Sequence, residues 1–580
     1  MRGDWSGFRL LRRELGAPVA AHLAGAGALT LLAAFLATLA PLALKLLMDA
    51  AAPDAGAALR PEVWVVAYVC LLALVRMISE GRTLLFGAAE QALTRKLARG
   101  ALLHALTLPA AYHSGKSTGE IQQVLENGIQ GYRTLLQHAL LTLGPGIVEL
   151  VLMAGIVFFW LDGAFLAVFA AFAAAYTAVF AATAIGVVQS ARKVSALRIE
   201  ANAWLADGLM NQDAVRATSG AQTVCARYDR CLAGLQAAWF GLYRARLVAG
   251  ILTALVMAGG LSAALLLSLE GIRAGDRTIG DLVLVHAAML QVVRPLEMLA
   301  GALRDAGQAA AFAERLDDLL SEAPEIPPDD VRPQTEASPL PAAIRFENVS
   351  FAHPGGRTVI DGVSFEIPAG ARAAIVGPSG GGKSTLLRLL LRFHEPREGR
   401  ILVGGVPSTD IPLEEYRRRF AAILQEGGLF DASLAFNIGF PDEAAEEASL
   451  LSAARVSGLE PLLSALPDRL EARMGERGMR ISGGERQRII LARAIRRGAG
   501  VLVADEPASA LDPASRVHFR QVLFGEGIAR TVVVISHVLT DVCGADIILV
   551  MDRGRLVEQG THPRLLARGG VYARMWNQQG

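Results

Sequence analysis

One stretch decides the fold of the second half of this chain: Ala373-Ala374-Ile375-Val376-Gly377-Pro378-Ser379-Gly380-Gly381-Gly382-Lys383-Ser384-Thr385. A short apolar strand pattern, the loop pattern G-x-x-x-x-G-K-[ST] and a helical run follow one another in the order that a P-loop requires. Glycines let successive backbone N–H groups point at phosphate oxygens, aided by the helix N-terminus. The stretch predicts that Lys383 reaches the β- and γ-phosphates and that the Ser384 hydroxyl holds Mg²⁺.

A second stretch, Val501-Leu-Val-Ala-Asp505-Glu506, is an apolar strand that ends in two acids. Asp505 lies at the end of the strand, where a Mg²⁺ ligand is needed, and is expected to hold the ion through a water molecule. Glu506 follows where a general base can activate the water that attacks the γ-phosphate. Together the two stretches predict an ATP hydrolase.

Composition separates this half from the residues before it. The chain has 580 residues, of which 53% are apolar, and the apolar excess lies in the first 300. Its length predicts several domains. A net charge of +1 argues against a nucleic-acid binder, which usually presents a basic face. The four cysteines have no CxxC spacing and are expected to be reduced thiols.

The first half contains six apolar stretches long enough to cross a membrane, since roughly 20 helical residues span the hydrocarbon layer. The predicted spans are 18–46, 62–86, 135–160, 163–188, 245–269 and 281–303. Segments 1–17, 85–135 and 187–242 are rich in Lys and Arg, whereas 48–61 and 269–279 contain only Arg60, Arg273 and Arg277. The positive-inside rule therefore places the N-terminus in the cytoplasm, where Trp5–Leu15 is expected to form an amphipathic surface helix.

The domain organisation follows from these patterns. Residues 1–320 are predicted to form an all-α, six-helix transmembrane domain, and the proline-rich residues 321–341 a linker. From 342 to 580, apolar β-branched runs alternate with helical patterns, which predicts an α/β P-loop nucleotide-binding domain. The fold class is therefore multidomain.

Further short motifs resemble the ATP-binding cassette (ABC) transporter family. Ile481-Ser482-Gly483-Gly484-Glu485 is similar to the signature motif, and Gln425 to the Q-loop glutamine. Ser509-Ala-Leu-Asp512 resembles the D-loop, His537 the switch histidine, and Gly475-Glu476-Arg477-Gly478 a loop that touches the membrane domain in exporters. His353 occupies the position of the aromatic residue that stacks on adenine.

The resemblance implies an assembly and a set of roles. In this family two cassettes enclose two ATP molecules, so a chain with one cassette implies a dimer. Because Glu506 and His537 are both present, a homodimer is the simplest assembly and a heterodimer the alternative. Gln425 joins Ser384 and Asp505 as an expected Mg²⁺ ligand. The P-loop, His353 and the motif Ser482–Glu485 are expected to bind ATP, with Lys383, Gln425, Glu506 and His537 acting in hydrolysis.

Other stretches resemble one subgroup, the mitochondrial iron–sulfur-linked exporters and their bacterial heavy-metal-tolerance relatives. These stretches are Asp207–Val215, Gly280–His286, Arg294-Pro295-Leu-Glu297 and the signature's Glu485. The subgroup implies glutathione or other thiol conjugates, or metal–thiol complexes, as cargo, and a bacterial inner membrane as location. Three alternatives remain: an exporter of lipids, amphipathic drugs or peptides; an importer on an exporter-type fold; and a membrane sensor that transports nothing.

Polar residues in the sixth span are candidates for the cargo route, because intramembrane polar residues usually face a bundle interior or a watery cavity. Helical spacing puts His286, Arg294 and Glu297 roughly on one face. Gln291 and, near the fourth span, Arg192 are further candidates. The competing interpretation is an Arg294–Glu297 pair that only holds helices together, and Arg76 with Glu149 is a similar expected pair.

Overall fold

The computed structural model describes residues 16–52, 59–116, 118–326, 340–353, 356–425, 427–475, 481–508, 511–525 and 530–579. The chain divides into two compact units, the first comprising 1–105 and 118–322 and the second 106–117 and 323–580. Several predicted features lie outside the described residues: the surface helix Trp5–Leu15, most of the linker, Glu476-Arg477-Gly478 and Ser509.

The described helices of the first unit are mostly long. They are α1 (Ala17–Ala50), α2 (Pro61–Thr107), α4 (Thr118–His138), α5 (Gly144–Trp160), α6 (Gly163–Met210), α7 (Gln212–Ala217), α8 (Ala221–Ala274) and α9 (Ile279–Ser321), with α3 (Ala110–Gly115) assigned to the second unit. A π-helical turn, Ala139–Leu143, joins α4 and α5 into one continuous helix. Within the described residues six helices are long and apolar enough to cross a membrane, which confirms the predicted number of six. Most continue well beyond the apolar stretch.

Apolar side chains hold these helices together where they meet. Phe165 and Phe172 of α6 are buried with Met153 of α5, and with Leu284 and Met289 of α9, in one cluster. A second cluster joins α1, α2, α4 and the end of α9. In lipid, contacts such as those of the first cluster gain van der Waals packing rather than release of water.

A buried ion group, which no sequence pattern predicts, fixes α1 against α9. The Lys45 ammonium lies 2.7 Å from an oxygen of Asp281 and 2.9 Å from an oxygen of Asp49. The Lys45 side chain is only 8% exposed and that of Asp281 11%. Asp281 also forms a capping box with Thr278 at the start of α9. Every charge in the group therefore has a partner inside the protein.

The expected pair between Arg76 and Glu149 is wrong. Arg76 lies 2.8 Å from Glu80, one turn further along α2, and both side chains are exposed. Glu149 lies instead within electrostatic reach of Arg82 and Arg294. The i, i+4 neighbour on the same helix was the nearer partner.

Two sheets form the framework of the second unit. The strands are β1 (Ile344–Ala352), β2 (Thr358–Ile367), β3 (Arg372–Val376), β4 (Glu398–Val403), β5 (Val406–Pro407), β6 (Phe420–Ile423), β7 (Val501–Asp505), β8 (Thr531–Ile535), β9 (Ile547–Asp552) and β10 (Arg555–Gly560). The larger sheet has the order β10-β9-β3-β8-β7-β6, and its strands from β9 to β6 are parallel. The smaller sheet, β2-β1-β4-β5, is antiparallel.

Helices cover the larger sheet. They are α10 (Lys383–Leu390), α11 (Leu413–Arg418), α12 (Leu434–Gly439), α13 (Glu447–Val456), α14 (Glu460–Ala465), α15 (Gly483–Arg497), α16 (Pro513–Phe524), α17 (His562–Arg568) and α18 (Val571–Gln579). Successive side chains of β3 point to opposite faces, so Ala373 and Ile375 join one apolar core and Ala374 and Val376 the other. A membrane unit of helices followed by an α/β unit confirms the predicted fold class.

Candidate nucleotide site

The glycine-rich loop follows β3 and leads directly into α10. Gly377, Gly380 and Gly382 have φ values of 152°, 76° and 92°, which residues other than glycine rarely adopt. A Cβ atom at Gly377 would also lie 2.0 Å from the carbonyl oxygen of Met551. The loop therefore needs glycine both for its backbone conformation and for the approach of β9.

Lys383 is held close to this loop. Its side chain is buried, and Nζ donates to the carbonyl oxygens of Gly377 at 2.9 Å and Pro378 at 2.8 Å. Burial lowers the pKa of the Lys383 ammonium, while the charges of Glu506 and Asp505 act in the opposite direction. An anion at the loop would give this ammonium a stronger partner than two backbone carbonyls.

Asp505 ends β7 beside the start of α10. The Ser384 hydroxyl donates to its Oδ1 at 3.3 Å, and Asp505 is 7% exposed. Burial raises the pKa of the Asp505 carboxyl, although the Ser384 hydrogen bond opposes the effect. Two oxygen atoms that can act as metal ligands thus lie together next to the phosphate loop, and a hard divalent cation prefers oxygen ligands.

Glu506 is held between two other predicted site residues. Nε2 of His537 lies 2.6 Å from Oε1 of Glu506, and the Gln425 amide donates to Oε2 at 3.3 Å. The Glu506 backbone has a φ of 48°, a conformation that costs about 1–3 kcal/mol for a residue with a side chain. Its N–H donates to the Ile535 carbonyl at 3.0 Å, which extends the β7–β8 pairing by one residue and supports this conformation.

The motif Ser482–Glu485 forms the N-terminus of α15. Ser482 is the N-cap, and its hydroxyl accepts from the Glu485 N–H at 3.2 Å. The Glu485 carboxylate in turn accepts from the Ser482 N–H at 2.7 Å and from its hydroxyl at 2.8 Å. This is a complete capping box. Among the contacts of the described residues, none joins these two side chains to the P-loop of the same chain.

His353 lies beside a second imidazole, that of His394. The ring of His394 is 5.4 Å from that of His353, and both rings contact Phe351, at 5.2 and 5.0 Å. Burial lowers the pKa of the His394 imidazole, and the charges of His353 and Arg388 act in the same direction. No sequence pattern marks His394, because its position depends on the turn that follows α10.

The cargo-route candidates divide into two groups. His286, Arg294 and Glu297 are exposed on α9, and Arg192 is exposed on α6. Gln291 is half-buried and donates to the Ala37 carbonyl of α1 at 3.1 Å. Among the described contacts, Glu297 accepts a hydrogen bond from the Tyr176 hydroxyl at 2.9 Å and forms no ion pair with Arg294.

The structure thus brings together Lys383, Ser384, Gln425, Asp505, Glu506 and His537. An α/β unit with this arrangement, on the same chain as six apolar helices of membrane-spanning length, defines a membrane-embedded ATPase of the P-loop class. Its membrane half matches the family model of the ABC transporter transmembrane region over residues 23–296, and its second half matches that of the ABC transporter over residues 360–509.

Comparison with known proteins gives the group within that class. An ATM1-type heavy metal exporter from Novosphingobium aromaticivorans is 33% identical, over 98% of this chain and 92% of that protein. The mitochondrial iron–sulfur clusters transporter ABCB7 of Oryzias latipes is 32% identical, over 87% of this chain and 68% of that protein. A solved bacterial Atm1-family ABC exporter with ATP bound superimposes with a TM-score of 0.82 at 30% identity, covering 97% of this chain and 98% of that one.

This chain belongs to the ABC transporters and, among them, to the Atm1-type exporters. It is therefore an integral membrane protein with an ATP-binding domain, and its activity is export driven by ATP hydrolysis. The family resemblance drawn from the signature, Q-loop and switch motifs is confirmed.

Proposed function

We propose that the exporter works as a homodimer in a bacterial inner membrane, with its N-terminus and nucleotide-binding domain in the cytoplasm. Each ATP would lie between the P-loop of one copy and the Ser482–Glu485 motif of the other. Two features support the assembly: Glu506 and His537 are both present in the chain, and the Ser482–Glu485 motif makes its own capping box rather than contacts to its own P-loop. The distribution of Lys and Arg supports the orientation.

The observation that carries the proposed hydrolysis is the Glu506 carboxylate held between Gln425 and His537. Glu506 accepts a proton from the water that attacks the γ-phosphorus, and ADP leaves with the bridging oxygen. Lys383 exchanges its two carbonyl partners for phosphate oxygens and neutralises the charge that develops on them. His537 holds Glu506 and the γ-phosphate in line with the water.

The donor set fits Mg²⁺. The Ser384 hydroxyl, the Asp505 carboxylate and the Gln425 side-chain carbonyl are all oxygen ligands, and Ser384 and Asp505 are already 3.3 Å apart. When bound, the ion would polarise the β- and γ-phosphate oxygens and offset their charge.

The proposed cargo is an anionic thiol conjugate of the glutathione type, or its metal complex. The names of the relatives support metal-related cargo: one is a heavy metal exporter and another an iron–sulfur clusters transporter. The side chains of His286, Arg294 and Glu297 support a polar route, because they are exposed along α9 although they lie within a predicted span. Arg294 would meet the carboxylates of such a peptide.

ATPase activity and vesicle uptake in reconstituted membranes test this cargo. Oxidised glutathione and metal–thiol complexes are expected to stimulate hydrolysis and to accumulate in inside-out vesicles, and Arg294→Gln should weaken that stimulation. The matched control is Arg60→Gln, at an exposed arginine outside the spans. Stimulation by anionic lipids alone, or ATPase activity that no cargo changes, would contradict the proposal.

A further inference from the structure

The last helix, α18, reaches the loop that carries His537 through one side chain. The Gln579 Nε2 donates to the His537 carbonyl oxygen at 2.6 Å, and its Oε1 accepts from the Leu539 N–H at 2.9 Å. One amide group therefore bridges backbone groups on both sides of Val538. An amide side chain can do this because it carries a donor and an acceptor on one planar group.

The helix that carries Gln579 is itself fixed in place. Glu558 of β10, which is only 8% exposed, accepts hydrogen bonds from the N–H groups of Val571 and Tyr572 at 2.6 and 3.1 Å, and so caps α18. Tyr572 is fully buried in the same apolar core as Leu539. The Gln579 amide is thus presented to the His537 loop by a helix whose first turn is anchored in the core.

The other side of the loop is also anchored. The Ser536 hydroxyl accepts from the Val538 N–H and donates to the Val538 carbonyl, both at 3.0 Å. The His537 side chain is 40% exposed, so its position depends on the backbone of its loop more than on packing around the ring. Ser536 holds that backbone before the turn and Gln579 holds it at and after His537.

We propose that Gln579 is a positioning residue for ATP hydrolysis: it fixes the His537 backbone so that the imidazole meets the Glu506 carboxylate. The inference rests on the proposed roles of His537 and Glu506. The Gln579 amide bonds the backbone of this loop, at His537 and Leu539, and is proposed to act only through the loop. Its loss therefore lowers the turnover number and leaves ATP binding at the P-loop unchanged.

The test compares Gln579→Ala and Gln579→Glu in the full-length exporter reconstituted in lipid. The Glu variant keeps the acceptor for Leu539 but places a carboxylate against the His537 carbonyl. A lost hydrogen bond corresponds to a roughly 2–12-fold effect. Gln579→Glu, which loses the bond to the His537 carbonyl, should lower kcat by about that factor, and Gln579→Ala, which loses both bonds, by at least as much. KM for ATP and the unfolding midpoint should be unchanged in both. The matched control is Gln578→Ala, at the exposed neighbouring glutamine. Unchanged kcat in both variants, or a loss equal to that of the control, would overturn the proposal.

A double-mutant cycle separates this inference from the function on which it rests. In a His537→Ala background, measured with radiolabelled ATP to resolve slow turnover, Gln579→Ala should have no further effect. Additive losses would show that Gln579 acts by another route. Wild-type turnover in His537→Ala alone would instead contradict the proposed role of His537.

Discussion

Each of the two units buries a lysine, but the two lysines have different kinds of partner. In the membrane unit, Lys45 is buried against two carboxylates, those of Asp281 and Asp49, at 2.7 and 2.9 Å. In the nucleotide-binding unit, Lys383 is equally buried but donates to two backbone carbonyls. The first ammonium has partners of full charge that it keeps, and the second has weak partners that a ligand can replace. A buried charge with strong internal partners indicates a structural role, and one with weak partners indicates a binding site.

The shifts in pKa agree with this difference in the nucleotide-binding unit. Burial lowers the pKa of the Lys383 ammonium and raises that of the Asp505 carboxyl, so both charged forms are disfavoured until a ligand arrives. Phosphate oxygens would compensate the first group and a divalent cation the second. Part of the free energy of nucleotide binding is therefore expected to come from relieving these two costs.

The largest effect is expected at Glu506. Glu506→Gln removes the proposed general base while keeping side-chain size, so hydrolysis should fall by about 10²–10⁴-fold. ATP binding and the unfolding midpoint should be preserved, and ATP should trap the closed dimer. Phosphate release and light scattering measure these outcomes, with Glu443→Gln, at an exposed glutamate, as the control. Turnover like that of the wild type would show that Glu506 is not the base.

A substitution at Lys45 is expected to lower stability rather than the rate of hydrolysis. Lys45→Met leaves Asp281 and Asp49 buried without their cation, and breaking such a group typically costs about 3–5 kcal/mol. The unfolding midpoint of the membrane unit should fall, while the chemical step in folded protein is unaffected. Lys193→Met, at an exposed lysine on α6, is the matched control and should change stability little. If Lys45→Met unfolds at the same temperature as the control, the ion group is not structural and the contrast with Lys383 fails.

The same contrast explains what the sequence could and could not predict. The P-loop lies within nine consecutive residues, and Asp505 and Glu506 follow one apolar strand, so local patterns are enough to predict both motifs. The order of the sheet, in which β7 is next but one to β3, then brings them together. The Lys45–Asp281 pair joins α1 and α9, which are far apart along the chain, and no local sequence pattern marks it. Its detection required the packing of α1 on α9.

Contacts that depend on long-range packing were missed for the same reason in the nucleotide-binding unit. Gln579 is far along the chain from His537, and a glutamine near the end of an amphipathic helix usually faces solvent. Arg76 shows the converse error: a distant partner, Glu149, was expected where the next helical turn already supplied Glu80. Membrane helices make this error easy, because a charge in an apolar run suggests a remote partner although a local one satisfies it equally well.

The smallest effect is expected at His353, the position at which the family resemblance predicts the aromatic residue that stacks on adenine. An aromatic stack is worth about 0.5–1.5 kcal/mol beyond its buried area, so His353→Tyr should tighten ATP binding by roughly 2–12-fold. His353→Ala should weaken it, and equilibrium binding with a fluorescent ATP analogue measures both. A higher ATP affinity in His353→Tyr together with a lower one in His353→Ala would show that adenine stacks on this ring. Equal affinities would mean that His394 and Phe351, which contact His353 at 5.4 and 5.0 Å, keep the imidazole turned away from the base.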